Sequence, residues 1–188
     1  VIVTRITDYI NGFDVSTAED LELEKNWHHF SQLLERCTNT VPPRIEVTPQ
    51  DPALIQFTGG TTGLPKGAVL THRNVLAATM HANLWGSHLN NNTPVDQRNV
   101  LAMLPFFHVY GDIVVLNWAM FNCATMLLVP RFDIEEIMGM LENIPRIQFF
   151  PAVPTMIGAI LNHPKAESME LDKKFGLLNS GGAPCPVS

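Results

Sequence analysis

The sequence predicts an α/β fold, a doubly wound and mostly parallel sheet with helices on both faces. Short apolar runs of strand length alternate with segments of helical spacing along most of the chain. Hydrophobic residues make up 46% of the chain and charged residues 16%, which favours a packed core over disorder. With 188 residues, the chain is long enough to bury such a core in one domain.

The beginning of the chain is the less regular part of the prediction. Val1–Ile6 is rich in β-branched residues and predicts a strand, which a polar loop over Asn11–Thr17 follows. Apolar side chains at helical spacing predict an amphipathic helix over Leu23–Arg36. Four prolines make Val41–Pro52 an extended connector.

Strands and helices then alternate regularly. The predicted strands are Ala53–Phe57, Asn99–Leu104, Ala124–Val129, Ile147–Phe150 and Phe175–Asn179. The predicted helices are His72–Trp85, Gly111–Phe121, Ile134–Glu142 (with Asp133 as N-cap) and Thr155–Leu161. Ligands of such sheets bind beyond the carboxyl ends of the strands. That rule selects three loops, Thr58–Gly67, Pro105–Gly111 and Ser180–Pro184.

Charge and cysteine content argue against several function classes. Twelve Lys and Arg against eighteen Asp and Glu give a formal charge of −6, which argues against nucleic acid as a partner. Cys37, Cys123 and Cys185 lie far apart, without zinc or disulfide spacing, so we expect three buried thiols in a cytoplasmic protein. The uncharged run 113–129 contains Asn and Thr, and it predicts a buried helix and strand, not a transmembrane segment.

The first loop, Phe57–Gly67, reads F-T-G-G-T-T-G-L-P-K-G and carries the chemistry. Its glycines allow backbone N–H groups to point inward, its threonines add hydroxyls, and Lys66 adds one positive charge. Donors and a cation without a carboxylate suit a polyphosphate, whose oxygens only accept hydrogen bonds. The loop matches neither a P-loop nor G-x-G-x-x-G, and the alternative is an ordinary flexible turn.

This loop resembles the phosphate-binding signature of the adenylate-forming superfamily, which includes acyl-CoA synthetases, peptide-synthetase adenylation domains and luciferases. Gly59 replaces the common Ser, as in the long-chain fatty acyl-CoA synthetase branch. Three further segments are similar to family motifs: L-P-F-F-H-V-Y-G at Leu104–Gly111, the apolar stretch Phe149–Asn162, and N-S-G-G-A-P at Asn179–Pro184. In the family they border the adenylate and acyl group, line the acyl pocket, and contact the adenine and ribose.

The resemblance implies roles for individual residues. His108 and Lys66 are the candidate catalytic residues, although His108 could instead only cap the helix that follows it. Thr58 would lie beside Mg²⁺. The implied nucleotide contacts are Thr58, Gly59, Gly60, Thr61, Thr62, Gly63, Lys66, Val109, Ser180, Gly181, Gly182 and Ala183.

The resemblance also implies an activity, an ATP-dependent fatty acid:CoA ligase that forms acyl-CoA, AMP and pyrophosphate through an acyl-adenylate. Residues 1–188 would be a partial N-terminal AMP-binding domain, with an opening strand, helix and connector over 1–52 and the ATP- and acyl-binding repeats over 53–188. We expect the isolated chain to be inactive, since the family's catalytic lysine and hinge lie further along. A partial parallel sheet leaves an open edge and apolar faces, which predicts self-association, and peripheral membrane contact is a further candidate interaction. The alternatives are a non-catalytic nucleotide-binding or interaction module, and a related ligase for an aryl or amino acid.

Overall fold

The computed structural model of the chain describes residues 1–4, 25–39, 41–58 and 64–185. The chain divides into two compact units, Val1–Glu46 and Val47–Ser188. The three sequence-predicted ligand loops all belong to the second unit.

The described residues of the first unit form a short parallel strand pair and one helix. Strand β1 (Ile2–Val3) pairs with β2 (His28–His29), and α1 (Phe30–Arg36) follows β2 directly. The helix predicted over Leu23–Arg36 is therefore wrong at its beginning, because the two histidines are extended and pair with the first strand. The backbone N–H of His28 donates to the carbonyl of Val1 at 2.9 Å. The predicted loop Asn11–Thr17 lies outside the described residues.

The second unit begins with a β-hairpin that the sequence analysis did not anticipate. Strand β3 (Pro52–Thr58) pairs antiparallel with β4 (Lys66–Thr71). The prediction that the first strand after the connector belongs to the parallel sheet is wrong for this reason. Only seven residues separate the two strands, and a parallel crossover needs a dozen or more. Thr58 and Lys66, which flank residues 59–65 of the first loop, are therefore partners at the end of the hairpin.

A four-stranded parallel sheet forms the rest of the unit and confirms the predicted architecture. It consists of β5 (Asn99–Ala102), β6 (Thr125–Leu128), β7 (Ile147–Ala152) and β8 (Phe175–Ser180), in the order β6-β5-β7-β8. The α-helices are α2 (His72–Trp85), α3 (Ser87–Asn92), α4 (Trp118–Phe121), α5 (Ile134–Asn143), α6 (Pro154–Leu161) and α7 (Leu171–Lys174). The described part of this unit also contains two 3₁₀ turns, Val95–Gln97 and Ala166–Met169, and a π-helix, Tyr110–Asn117.

Helix ends follow local chemistry. Thr71 and Asn74 form a capping box at the start of α2, where the Asn74 N–H donates to the Thr71 hydroxyl. The carboxylate of Asp133 accepts hydrogen bonds from the N–H groups of Glu135 and Glu136 at 3.0 and 3.1 Å. Asp133 is thus the N-cap of α5, as the sequence predicts.

Each face of the parallel sheet packs against its own helices. On one face, Leu101, Ile147 and Phe150 pack against buried residues of α5 and α6. On the other, Val100 and Phe149 pack against the π-helix and α4, and the Trp118 and Phe149 rings lie 4.6 Å apart. Helices on both faces are what a doubly wound sheet requires.

The three cysteines lie at the surface. Cys37, Cys123 and Cys185 are all exposed, so the prediction that they are buried is wrong. Cys123 lies in the tight turn between α4 and β6 with φ of 52°, and this turn carries its side chain to the surface.

The apolar run 113–129 forms the predicted helix, turn and strand. Within the described ranges, no helix is both long and apolar enough to cross a membrane.

The strand order places a crevice at the centre of the sheet. From β5 the chain proceeds to β6 on one side, whereas β7 leads to β8 on the other. The boundary between β5 and β7 is therefore a topological switch point. In folds of this kind, ligands bind at the switch point, beyond the carboxyl ends of the strands.

Candidate functional site

Pairing of β3 with β4 brings together the two residues that flank the centre of the first loop. Thr58 and Lys66 lie opposite each other in the register of β3 and β4, and the Thr58 hydroxyl donates to the Lys66 carbonyl at 3.3 Å. Both residues are exposed, and within the described part of the chain no hydrogen bond or ion pair engages the Lys66 ammonium. Gly59, Gly60, Thr61, Thr62 and Gly63 lie outside the described residues.

The second loop leaves β5 at the switch point and leads into the π-helix. His108 is exposed, and its Nδ1 accepts the backbone N–H of Tyr110 at 3.1 Å. The carbonyl of His108 accepts the N–H of Asp112 at 2.9 Å. His108 therefore does cap the helix. With Nδ1 as acceptor, a neutral imidazole carries its hydrogen on Nε2, which remains available as a donor.

Close packing explains why glycine follows Tyr110. A Cβ atom on Gly111 would lie 2.2 Å from the carbonyl oxygen of Pro105. The first turn of the π-helix thus rests directly on the backbone of the loop. Val109, a predicted nucleotide contact, lies between His108 and Tyr110 and is partly exposed.

The third loop begins at the carboxyl end of β8. Ser180 pairs with Ala152 of β7, and the Gly181 N–H donates to the Ala152 carbonyl at 3.1 Å. Gly182 has φ of 79°, a conformation that favours glycine. Ser180, Gly182 and Ala183 are exposed, so the turn presents its backbone and one hydroxyl to solvent.

Tyr110 joins the second and third loops. Its phenol oxygen lies 2.5 Å from Oδ1 and 3.1 Å from the backbone oxygen of Asn179, and 3.5 Å from the carbonyl of Ala152. A Cβ atom on Gly181 would lie 3.0 Å from Cζ of the Tyr110 ring. Burial raises the pKa of the Tyr110 phenol above its ordinary value of 10.0, and the hydrogen bond with the Ala152 backbone opposes that rise.

The sequence analysis did not identify the contact between Tyr110 and Asn179. The two residues are 69 positions apart, and no periodicity or motif relates them. The structure thus brings the second and third loops together at the carboxyl edge of the sheet.

The apolar segment Phe149–Asn162 serves mainly as core. Phe149, Phe150 and Ile160 are buried, and Met156 packs against the clusters on both faces of the sheet. A separate apolar cavity of about 460 Å³ lies at the carboxyl ends of β5 and β6, and Phe106, Phe107 and Leu128 contribute to its lining. The second loop therefore borders an apolar space.

Among the described residues, no cluster of three His, Cys, Asp or Glu side chains could hold a metal ion. The Thr58 hydroxyl is a single oxygen donor at the base of the first loop. A magnesium ion there would need most of its ligands from water and a nucleotide's phosphates, which is the usual situation for Mg²⁺ in nucleotide enzymes.

Comparison with known proteins is consistent with this geometry. Residues 4–188 match the family model described as AMP-binding enzyme. The chain is 33% identical over 169 residues to the long-chain-fatty-acid–CoA ligase of Bacillus subtilis, covering 89% of this chain and 29% of that protein. It is 30% identical over 185 residues to 4-coumarate-CoA ligase 2 of Narcissus pseudonarcissus, covering 94% of this chain and 32% of that protein.

A solved structure supports the same relationship. The crystal structure of ATP-bound MatB from Rhodopseudomonas palustris aligns with a TM-score of 0.63 and 27% identity, covering 74% of this chain and 26% of that one. The chain therefore spans about a third of the length of the curated relatives it matches. With a family model that matches nearly the whole sequence, the chain belongs to the AMP-binding enzyme family.

Proposed function

We propose that this chain is the ATP-binding and part of the acyl-binding region of an ATP-dependent acid–CoA ligase. The observation that carries the proposal is the Phe57–Gly67 sequence, in which Thr58 and Lys66 lie side by side where the two paired strands of a hairpin end. An exposed ammonium beside glycines and hydroxyls suits a triphosphate. Membership of the AMP-binding enzyme family and the similarity to ATP-bound MatB support this assignment.

The proposed roles divide among the three loops. Thr58, Lys66 and residues 59–63 would hold the β- and γ-phosphates. Ser180, Gly181, Gly182 and Ala183 would line the nucleoside, together with Val109. Through its Nε2 hydrogen, His108 would donate to an oxygen of the acid's carboxylate. This role is compatible with helix capping, because capping uses only Nδ1 and the backbone carbonyl.

Mg²⁺ would be held by Thr58 and the nucleotide. When bound, it would neutralise charge on the phosphate oxygens. The chain's own contribution is then positioning, since the loop backbone and Lys66 orient the triphosphate for attack at the α-phosphorus.

The proposed reaction has two steps. A carboxylate oxygen of the acid forms a bond to the α-phosphorus of ATP, the bond to the bridging oxygen breaks, and pyrophosphate leaves. The thiolate of CoA then forms a bond to the acyl carbon, and AMP leaves with the former carboxylate oxygen. Both steps are transfers without oxidation or reduction.

We propose a fatty acid as the substrate. Gly59 and the segment Val153–Pro164 support this choice, as does the similarity to a long-chain-fatty-acid–CoA ligase. An aryl acid is the second candidate, because 4-coumarate–CoA ligases are nearly as similar to this chain. We place the whole protein in the cytoplasm as part of the same proposal.

Titration of ATP–Mg²⁺ into the 188-residue chain by calorimetry tests the assignment. We expect saturable binding that Lys66→Ala and Thr62→Ala weaken by at least tenfold. Lys165→Ala is the matched control, because it removes an exposed lysine that pairs with Glu142 and belongs to none of the three loops. Absence of binding by the wild-type chain, or equal binding by all three variants, would contradict the proposal.

The isolated chain should not form acyl-CoA. The family resemblance implies that both steps need the catalytic lysine and the hinge, which residues 1–188 do not include. A thioester assay with ATP, CoA and either a fatty acid or 4-coumarate measures this, and measurable turnover would show that the chain is sufficient by itself.

A further inference from the structure

The geometry points to Tyr110 as a positioning residue that sets the distance between His108 and the nucleoside turn Ser180–Ala183. This inference rests on the proposed function and extends it to a residue for which the sequence analysis assigned no role. Tyr110 reaches both groups at once: its backbone N–H contacts the His108 ring, and its phenol contacts Asn179, directly before the turn.

The backbone half of the link orients the imidazole. The Tyr110 N–H donates to Nδ1 of His108 at 3.1 Å. This hydrogen bond selects the tautomer with hydrogen on Nε2, and it directs that nitrogen away from the helix. Any residue except proline at position 110 can make this contact, so the backbone half survives substitution of the side chain.

The side-chain half holds the turn. The phenol lies 2.5 Å from Asn179 Oδ1 and 3.1 Å from the Asn179 backbone oxygen. These two oxygens and the Ala152 carbonyl at 3.5 Å are all acceptors, and the contact with Asn179 Oδ1 is the shortest, so Oδ1 is the main acceptor of the phenol's one proton. Asn179 precedes Ser180, the last residue of β8. The phenol therefore ties the second loop to the residue from which the nucleoside turn departs.

Packing makes this link rigid. Gly181 lies so close to the Tyr110 ring that a Cβ atom there would be 3.0 Å from Cζ and 3.2 Å from the phenol oxygen. On its other side, the residue after Tyr110 rests on the Pro105 carbonyl. The ring thus lies against the backbone of the turn, and the residue that follows Tyr110 is fixed against the second loop, which restricts the spacing of His108 and Ser180.

A ligand that spans both groups would depend on this spacing. The proposed adenylate has its nucleoside on the turn and its reacting carboxyl near His108. Loss of the phenol hydroxyl should leave His108 and the turn Ser180–Ala183 folded, but the distance between them should vary more. We therefore expect weaker nucleotide binding from Tyr110→Phe without loss of the fold.

A double-mutant cycle tests the inference, with ATP–Mg²⁺ affinity measured by calorimetry for the wild type, Tyr110→Phe, Asn179→Ala and the double variant. We expect each single variant to weaken binding about three- to tenfold, the range of one hydrogen bond. The double variant should be no weaker than the single variants, because the two changes remove the same contact. Single variants that bind as the wild type does, or effects that multiply, would overturn the inference.

A stability control separates positioning from general destabilisation. Ile137→Val removes one methylene from a fully buried side chain of α5, which belongs to none of the three loops. It should lower the melting temperature by at least as much as Tyr110→Phe while ATP affinity stays unchanged. A comparable loss of affinity in Ile137→Val would mean that the Tyr110 effect is only structural.

A readout independent of nucleotide keeps this inference distinct from the proposed function. The chain has two tyrosines, so in a Tyr9→Phe background the absorbance at alkaline pH reports Tyr110 alone. Removing the Asn179 acceptor should shift the midpoint of phenol ionisation downward. If the wild type fails to bind ATP, the proposed function is contradicted. An unchanged midpoint of phenol ionisation in Asn179→Ala would overturn the Tyr110–Asn179 link, whatever the result with ATP.

Discussion

Gly111 lies against the carbonyl oxygen of Pro105, where an added Cβ atom would come within 2.2 Å. This contact seats the π-helix on the second loop and so places His108 at the carboxyl end of β5. Because the obstructing atom belongs to the backbone, no rotation of a side chain can relieve the contact.

Gly111→Ala should therefore destabilise the chain. We expect a loss of about 3 kcal/mol in the free energy of unfolding, because the backbone must shift to admit the methyl group. Urea denaturation followed by circular dichroism measures it. Gly139→Ala is the control, because nothing lies within 4 Å of an added Cβ there. As Gly139 is in the middle of α5, that variant should gain about 0.5–1 kcal/mol. Equal effects of the two variants would contradict the described packing.

Asp133→Ala should cost about 1 kcal/mol of unfolding free energy. The carboxylate accepts two N–H groups at the start of α5, and alanine would leave both without an intramolecular partner. Thermal denaturation of the purified variant provides the value. Asp172→Ala, an exposed aspartate within α7, serves as the matched control and should have an effect below about 0.5 kcal/mol. A loss of the same size in both would mean that Asp133 acts through general charge and not as a cap.

Alkaline pH should weaken the fold through Tyr110. Its folded-state pKa is raised above the ordinary value of 10.0 by burial, so the folded state holds the phenol proton more tightly than the unfolded state does. The stability that this group contributes is complete below pH 10 and is lost as pH rises through the folded-state pKa.

Comparison of the wild type with Tyr110→Phe isolates this contribution. Urea denaturation at a series of pH values should give a constant difference in unfolding free energy up to about pH 10, since the phenol is neutral in both states there. The difference should then decrease at higher pH. A difference that grows with pH would mean that the phenol is stabilised as the anion, contrary to its half-buried position.

The outer strand β8 should promote self-association. It is the last strand of the sheet order, and Leu178 on it is 40% exposed. Beside it lies an apolar cavity of about 300 Å³ lined in part by Phe150, Ile157 and Leu178. Unpaired strand edges with apolar side chains tend to pair with other chains.

Light scattering over a range of concentrations measures this tendency. We expect the apparent mass to rise with concentration for the wild type and to rise less for Leu178→Lys. Val95→Lys, in the 3₁₀ turn before β5, places the same charge at another exposed apolar position and should leave association unchanged. A wild-type chain that stays monomeric at every concentration would contradict the expectation.

The sequence by itself determined the elements whose cause is local. The apolar runs of β5 to β8, the spacing in α2 and the Asp133 cap are encoded within a few consecutive residues, and the structure has them close to the predicted bounds. The Gly/Thr loop and the motifs around His108 and Ser180 likewise identify the family without coordinates, because each is a short and specific string.

Only the tertiary structure decided which of these elements meet. The pairing of β3 with β4, and the late start of the predicted first helix at Phe30 because His28–His29 pair with β1, are decided by strand pairing. The same holds for Tyr110 and Asn179, whose contact requires β7 and β8 to pair and the π-helix to rest on the second loop. Strand pairing and side-chain packing are long-range interactions, so local propensity and spacing do not encode them.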